Sequence, residues 1–172
     1  MNRRHNTEDL YAVIDRLRNN IKDLVLRTTV MVGFPGERET DYKQLYDFVE
    51  ATKFDWLGAF KYTAEAGTPS YSLSNQISEE IKTERLDKIL TLQNKITRKK
   101  NIMRLDSKYR ILISSQISPN LYIGRGYFQA PVVDGITMVK TTERLNRGEF
   151  VDVVLKAVRN YDMIGELNYE SP

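Results

Sequence analysis

The hydrophobic rhythm of the chain changes once, near residue 106, and that change limits the folds open to it. Before it, apolar residues recur at helical spacing, interrupted by short dense runs. Leu10, Ile14, Leu17 and Ile21 fall on one face of a helix, which Asn6 or Thr7 is placed to cap. Residues 24–32 (LVLRTTVMV) are dense and rich in β-branched side chains, as in a buried strand. A second helix follows, with Thr40 as its expected cap and Tyr42, Leu45, Tyr46 and Val49 on its apolar side, and then a second strand over residues 56–62. Helix–strand–helix–strand order predicts parallel strands joined by crossover helices, an α/β architecture. After a loop at 63–76, Ser78 is expected to cap the longest helix, with Ile81, Leu86, Ile89, Leu90 and Ile96 on its apolar side.

After residue 106 the alternation has a period of two. Tyr109, Ile111 and Ile113 alternate with Arg110, Leu112 and Ser114, and four more short runs follow at 121–128, 135–141, 150–158 and 161–167. Turn signals at Pro119-Asn120, Asp134-Gly135 and Arg147-Gly148 separate several of them. Five short strands in this order predict a small antiparallel five-stranded β-barrel. The expected domains are therefore 1–105 and 106–172.

Residue content narrows the chemistry. The 172 residues include no cysteine and one histidine. A disulfide framework, a cysteine nucleophile, a thiolate zinc site and a cysteine-held iron–sulfur cluster are excluded within this chain. No apolar run reaches the ~20 residues that span a bilayer, and the polar, basic start does not read as a secretory signal, so the expected location is cytoplasmic, with no membrane partner. Residues 1–105 hold 18 Lys/Arg against 15 Asp/Glu, whereas residues 106–172 hold 8 against 8. The net charge of +3 thus lies in the first part, where Arg98, Lys99, Lys100 and Arg104 form a basic run.

The segment with most chemical content is L-R-T-T-V-M-V-G-F-P-G-E, residues 26–37. Glycines at 33 and 36 let a ligand approach the backbone at a strand end. Glu37 stands at the open end of a parallel strand, where α/β folds place ligands. Arg27 is a cation in an otherwise apolar strand, and if buried it needs a carboxylate or phosphate partner. A structural arginine–carboxylate pair beside an ordinary turn explains the same residues.

This segment, with M-N-R-R-H at the start, F-K-Y-T-A-E-A-G-T-P at 60–69 and Q-N-K-I at 93–96, resembles the second half of a radical S-adenosylmethionine (SAM) methylthiotransferase. Residues 106–172 are similar to its TRAM domain, a small OB-like barrel. G-R-G-Y-F-Q-A-P-V-V-D-G (124–135) and Y-D-M-I-G-E (161–166) resemble the branch that methylthiolates the β-carbon of an aspartate in small-subunit ribosomal protein twelve. The resemblance implies the second half of a partial, TIM-like α/β barrel followed by the TRAM barrel. It also implies SAM and two 4Fe–4S clusters in the parent enzyme, none of them held by this chain, which is then expected to be a piece inactive alone. Arg27, Thr29, Met31, Val32, Gly33, Glu37 and Tyr62 become the expected cofactor wall. Arg125, Asp134 and Tyr161 become candidates for docking the ribosomal protein substrate. Here Val132 stands where the family usually has glutamate.

Two other readings share these residues. One is a methylthiotransferase acting on a tRNA adenosine. The other is a non-catalytic TRAM module binding RNA or protein, with Tyr109, Tyr122, Tyr127, Phe128 and Tyr161 available to stack on bases and Arg125, Lys140, Arg144 and Arg147 to contact phosphates. A neutral barrel favours a protein target over RNA. A half-barrel also exposes an unpaired strand edge, from which self-association is expected.

Overall fold

The computed structural model describes residues 6–168, which separate into two compact units divided between Gln93 and Asn94. The first begins with helix α1 (Thr7–Asn20). Asn6 caps it: its side chain accepts the Asp9 N–H at 2.8 Å, and the Asp9 carboxylate accepts the Asn6 N–H at 3.1 Å. The helix packs more shallowly than its heptad-like spacing suggests. Ile14 is buried, but Leu10 and Ile21 are exposed, and Tyr11 instead packs edge-on against Phe48 at 5.1 Å.

Strand β1 (Arg27–Val32) pairs in parallel with β2 (Trp56–Lys61), and helix α2 (Glu39–Thr52) connects them. The α2 start differs from expectation. Thr40 is not its cap; the helix begins at Glu39, and Asp41 accepts the Arg38 N–H at 2.9 Å and two guanidinium hydrogen bonds at 3.1 Å. A carboxylate in the first turn satisfies the free donor and complements the helix dipole, leaving no such role for the threonine hydroxyl. These hydrogen bonds to Arg38 hold the Asp41 carboxyl below its usual range. At the other end of the sheet, buried Asp55 accepts the Leu26 N–H and donates its own N–H to the Leu26 carbonyl, locking the strand starts together.

Helix α3 (Glu79–Ile102) starts after Ser78, whose hydroxyl accepts the Ile81 N–H at 3.4 Å. Its buried stripe includes Ile89 and Ile96, as expected, but departs from the expected side elsewhere. Ile81 and Leu90 are exposed, while Lys82, Arg85, Ile89, Leu92, Gln93 and Ile96 are buried. Two cations sit on this face because carboxylates and backbone carbonyls meet them there, as described below.

The second unit contains β3 (Lys108–Ser118), β4 (Leu121–Arg125), β5 (Thr137–Lys140), β6 (Phe150–Arg159) and β7 (Asp162–Leu167), closed as a barrel in the order β3-β4-β5-β7-β6. All neighbours are antiparallel except β5 and β7, which are parallel. The expectation of a wholly antiparallel barrel is corrected here, and geometry requires it: strict alternation around a closed ring fails when the strand number is odd. Ile111, Ile113, Tyr122, Val139, Val153, Leu155 and Met163 fill the interior. Gly124 and Gly165 make room for them, since a Cβ at either would lie within 2.5 Å of Ile111 or 2.4 Å of Val153.

Candidate functional site

Side chains alternate across β1 and β2, so the two-stranded sheet has two distinct faces. Lys61 marks one: its ammonium contacts Thr83 Oγ1 and Glu79 on α3. Val32, fully buried, lies on this helix-covered face with Thr28 and Val30. The other face carries Arg27, Thr29 and Met31. Gly58 belongs to it, because a Cβ built there would point at the Thr29 side chain, 3.5–3.7 Å away. Phe60, paired with Met31, is 50% exposed on the same side. Arg27 and Thr29 are exposed, so Arg27 is not the buried cation its apolar neighbours suggested. The open face therefore presents a guanidinium, a hydroxyl, a thioether, a bare glycine and an aromatic ring on one parallel sheet.

At the C-terminal end of β1 the chain bends through Gly33, whose φ of +76° lies in the left-handed region that suits glycine. The missing side chain also admits α3. A Cβ at Gly33 would lie 2.3 Å from Lys82 Cγ, so on that side the bend is filled by lysine, not left open to a ligand. The Lys82 ammonium lies 5.5 Å from the Tyr62 ring centroid and 2.8 Å from Glu79 Oε1. Tyr62 is 6% exposed and packs edge-on against Phe34 at 5.2 Å. Its hydroxyl has no hydrogen-bond partner among the described residues.

Glu37 is 12% exposed and closes the bend from within. One carboxylate oxygen accepts the Gly33 N–H at 3.0 Å; the other accepts from Arg85 at 2.6 Å. Arg85, 8% exposed, also reaches Glu39 at 3.0 Å and the Glu37 carbonyl at 3.3 Å. Its guanidinium lies 5.2 Å from the Tyr42 ring centroid, and the Tyr42 hydroxyl donates to the Arg85 carbonyl at 3.3 Å. Burial works against the Arg85 charge, but hydrogen bonds to Glu39 and Glu37 outweigh it and raise its pKa above the usual arginine value. Burial pushes the Tyr42 hydroxyl up to about 12.

The expected cofactor wall thus divides in two. Arg27, Thr29 and Met31 come together on the open face. Val32, Gly33, Glu37 and Tyr62 lie apart from that row: their side chains, or the space a side chain would take, are committed to the core, the bend or α3. Arg85 and Lys82 were not among the expected residues. Counting from Ile89 by helical steps leads back to both, but a search for apolar stripes passes over cations.

In the barrel unit the three docking candidates sit at the end of β4, in the turn before β5 and just ahead of β7. The Arg125 guanidinium lies 3.4 Å from Ser114 Oγ. Asp134 accepts the Ala130 N–H at 2.8 Å and shapes the turn before β5. The Tyr161 carbonyl accepts from Asn101 at 3.3 Å and abuts Gly135. The two motifs at 130–135 and 161–166 meet here: the Ile136 N–H donates to Asp162 at 2.9 Å, and the Met163 N–H donates to the Ile136 carbonyl at 2.8 Å. Tyr122 and Phe128, candidates for base stacking, are 1% exposed and belong to the core, while Tyr127 is 62% exposed. A separate groove of about 570 Å³ is lined by residues that include Gln116, Ser118, Thr142, Glu143 and Arg144, and none of the three docking candidates lines it.

Among the described residues, no group of three or more His, Cys, Asp or Glu is placed to hold a metal ion, and no helix is long and apolar enough to cross a membrane. Residues 107–167 match the family model of the TRAM domain. The chain is similar over nearly its whole length to proteins named ribosomal protein uS12 methylthiotransferase RimO. Identity is 58% over 166 residues with that of Syntrophomonas wolfei, covering 96% of this chain and 38% of the relative. It is 45% over 170 residues with that of Clostridioides difficile and 44% over 172 residues with that of Acetivibrio thermocellus, each covering 99% of this chain and 38% of the relative. The chain thus spans about 38% of the length of these curated relatives.

Proposed function

From the premise that the chain belongs to the RimO family of methylthiotransferases and carries a TRAM domain, we propose that it serves as the C-terminal portion of an enzyme that methylthiolates an aspartate β-carbon in ribosomal protein uS12. In this reading the first unit supplies one wall of the SAM site and the TRAM unit engages the ribosomal protein in the cytoplasm. The observation that carries the first assignment is the open face of the β1–β2 sheet.

The donor set of that face suits SAM. Arg27 offers a charge-assisted hydrogen bond to its carboxylate, Thr29 a hydroxyl to its ribose, and Met31 and Phe60 apolar surface to its adenine. Gly58 keeps a side chain out of the space beside Thr29. When bound, SAM supplies the radical precursor and the methyl group. The residues of this chain do not suit an iron–sulfur cluster, because thiolates hold such clusters and the chain has none. Incubated anaerobically with iron and sulfide, the chain should retain no coloured cluster after desalting; retained charge-transfer absorbance would contradict this.

Each strand of the sheet pairs on one side only among the described residues, so both outer edges are available for further strands. Self-association of the isolated chain through these edges is the corresponding expectation, and light scattering showing a monomer at all concentrations would count against it. In the complete enzyme, Arg27→Ala should weaken SAM binding by roughly 1.5–3 kcal/mol, the range for a hydrogen bond to a charged group; an unchanged SAM titration would remove Arg27 from the site. The overall function is tested by mass analysis of uS12 from cells in which the gene is disrupted. Loss of the methylthio group from the protein supports the proposal. An intact uS12 mark with loss of a methylthio group from tRNA would replace it with the nucleic-acid reading.

A further inference from the structure

We propose that Arg85 is a positioning residue for the ligand wall: it holds Glu37 so that Glu37 fixes the Gly33 bend, and the bend fixes the end of the open face. The inference rests on the reading of that face as a SAM wall and goes beyond it by assigning a role to a helix residue remote from the face.

The chain of contacts is continuous. The Arg85 guanidinium grips the Glu37 carboxylate at 2.6 Å and the Glu37 carbonyl at 3.3 Å, so it holds that residue by side chain and backbone together. The second oxygen of the same carboxylate takes the Gly33 N–H at 3.0 Å. Gly33 directly follows Val32, the last residue of β1, and Met31 is the last member of the open row. One helical turn before Arg85, Lys82 packs its stem into the space at Gly33. Two neighbouring side chains of α3 therefore set one bend, Lys82 by filling and Arg85 through Glu37.

A surface ion pair would not do this, because solvent and side-chain entropy leave such pairs loose. Here both partners are mostly buried, the guanidinium is held from a second side by Glu39, and the Tyr42 ring lies 5.2 Å from it. The pairing to Glu37, Glu39 and the Glu37 carbonyl fixes the fork, although the buried Arg85 Nε has no partner among the described residues. A planar fork binding two carboxylates and a carbonyl is a task that lysine fulfils only in part.

The test uses the 172-residue chain with labelled Met31 methyl and Gly33 amide, titrated with SAM and followed by NMR, for wild type, Arg85→Met, Arg85→Lys and Glu37→Gln. Circular dichroism establishes that each variant is folded. In Arg85→Met the Met31 methyl signal should move, Gly33 amide exchange should accelerate, and SAM affinity should fall roughly tenfold, a coupling typical of linked sites. Arg85→Lys should recover part of each, and Glu37→Gln should resemble Arg85→Met in weaker form. If Arg85→Met does not fold, the Arg85→Lys and Glu37→Gln pair decides the matter by the same readouts. Faster Gly33 exchange with unchanged SAM affinity would make Arg85 merely structural and overturn the proposal. So would an unmoved Met31 methyl. If the isolated wild-type chain gives no SAM-dependent shift, the SAM reading is decided in the complete enzyme by the Arg27→Ala titration. Arg85 is then judged on the Met31 methyl alone: displaced by Arg85→Met and restored by Arg85→Lys upholds it, unmoved overturns it.

Discussion

Gly33→Ala should destabilise the first unit by roughly 2–4 kcal/mol, combining the cost of a left-handed non-glycine backbone with that of overpacking. Both terms are visible at the residue: φ is +76°, and the new Cβ would lie 2.3 Å from Lys82 Cγ. Lys82 is poorly placed to yield. Its stem is buried, and its ammonium is anchored on Glu79 at 2.8 Å. The loss is a large share of the ~5–15 kcal/mol that holds a typical domain together. Urea unfolding followed by the fluorescence of Trp56, the single tryptophan and a buried one, measures it directly. A midpoint equal to that of wild type would show that the lysine and the bend adapt freely, and the account of Gly33 would be wrong. Gly36 offers an internal control. It also has a positive φ, but a Cβ there meets nothing within 4 Å, so Gly36→Ala should cost the backbone term alone.

The second large effect lies in the barrel. Gly135→Ala would place a Cβ 2.2 Å from the Tyr161 carbonyl oxygen and 2.6 Å from its carbon. The obstacle is backbone, so no rotamer change relieves it. The strain acts on the parallel β5–β7 seam, whose entry is tied by the Ile136–Asp162 and Met163–Ile136 hydrogen bonds. We expect a cost near the upper end of the ~1–3 kcal/mol usual for overpacking, and for a domain of this size a melting temperature lower by roughly 10–20 °C. Amide exchange at Met163 reports the seam itself. Protection at Met163 equal to wild type would contradict the prediction.

What could be read from the sequence followed from periodicity. The five barrel strands and the parallel pair were legible because each needs only alternation or a dense β-branched run between turn residues. The parallel β5–β7 pairing was not, because local patterns carry no information about which strands become neighbours. At the site, the Gly33 bend and Glu37 stood out by residue type, yet their partners did not. Arg85 lies 48 residues from Glu37 in the chain, and a cation on the buried side of a helix reads as solvent-facing until its carboxylates are located. Arg27 misled in the opposite direction. Its apolar neighbours suggested burial, but strand alternation places it with Thr29 and Met31 on the exposed row. Thr40 is not the cap because the helix already starts at Glu39, with Arg38 at the cap position and Asp41 accepting its N–H. Among the aromatic residues of the barrel, sequence could not separate Tyr122, buried with its hydroxyl accepting the Leu145 N–H at 3.2 Å, from exposed Tyr127.

The open face matters only if a larger enzyme uses it as the wall of its SAM site. The most direct measurement replaces the matching 38% of the Syntrophomonas wolfei relative with this chain, loads the chimera with its clusters, and supplies SAM and purified uS12. Mass analysis should find a methylthio group on an aspartate of uS12, and Arg27→Ala in the chimera should sharply reduce it. A folded, cluster-loaded chimera that leaves uS12 unmodified, beside an unaltered relative that modifies it, would contradict the assignment.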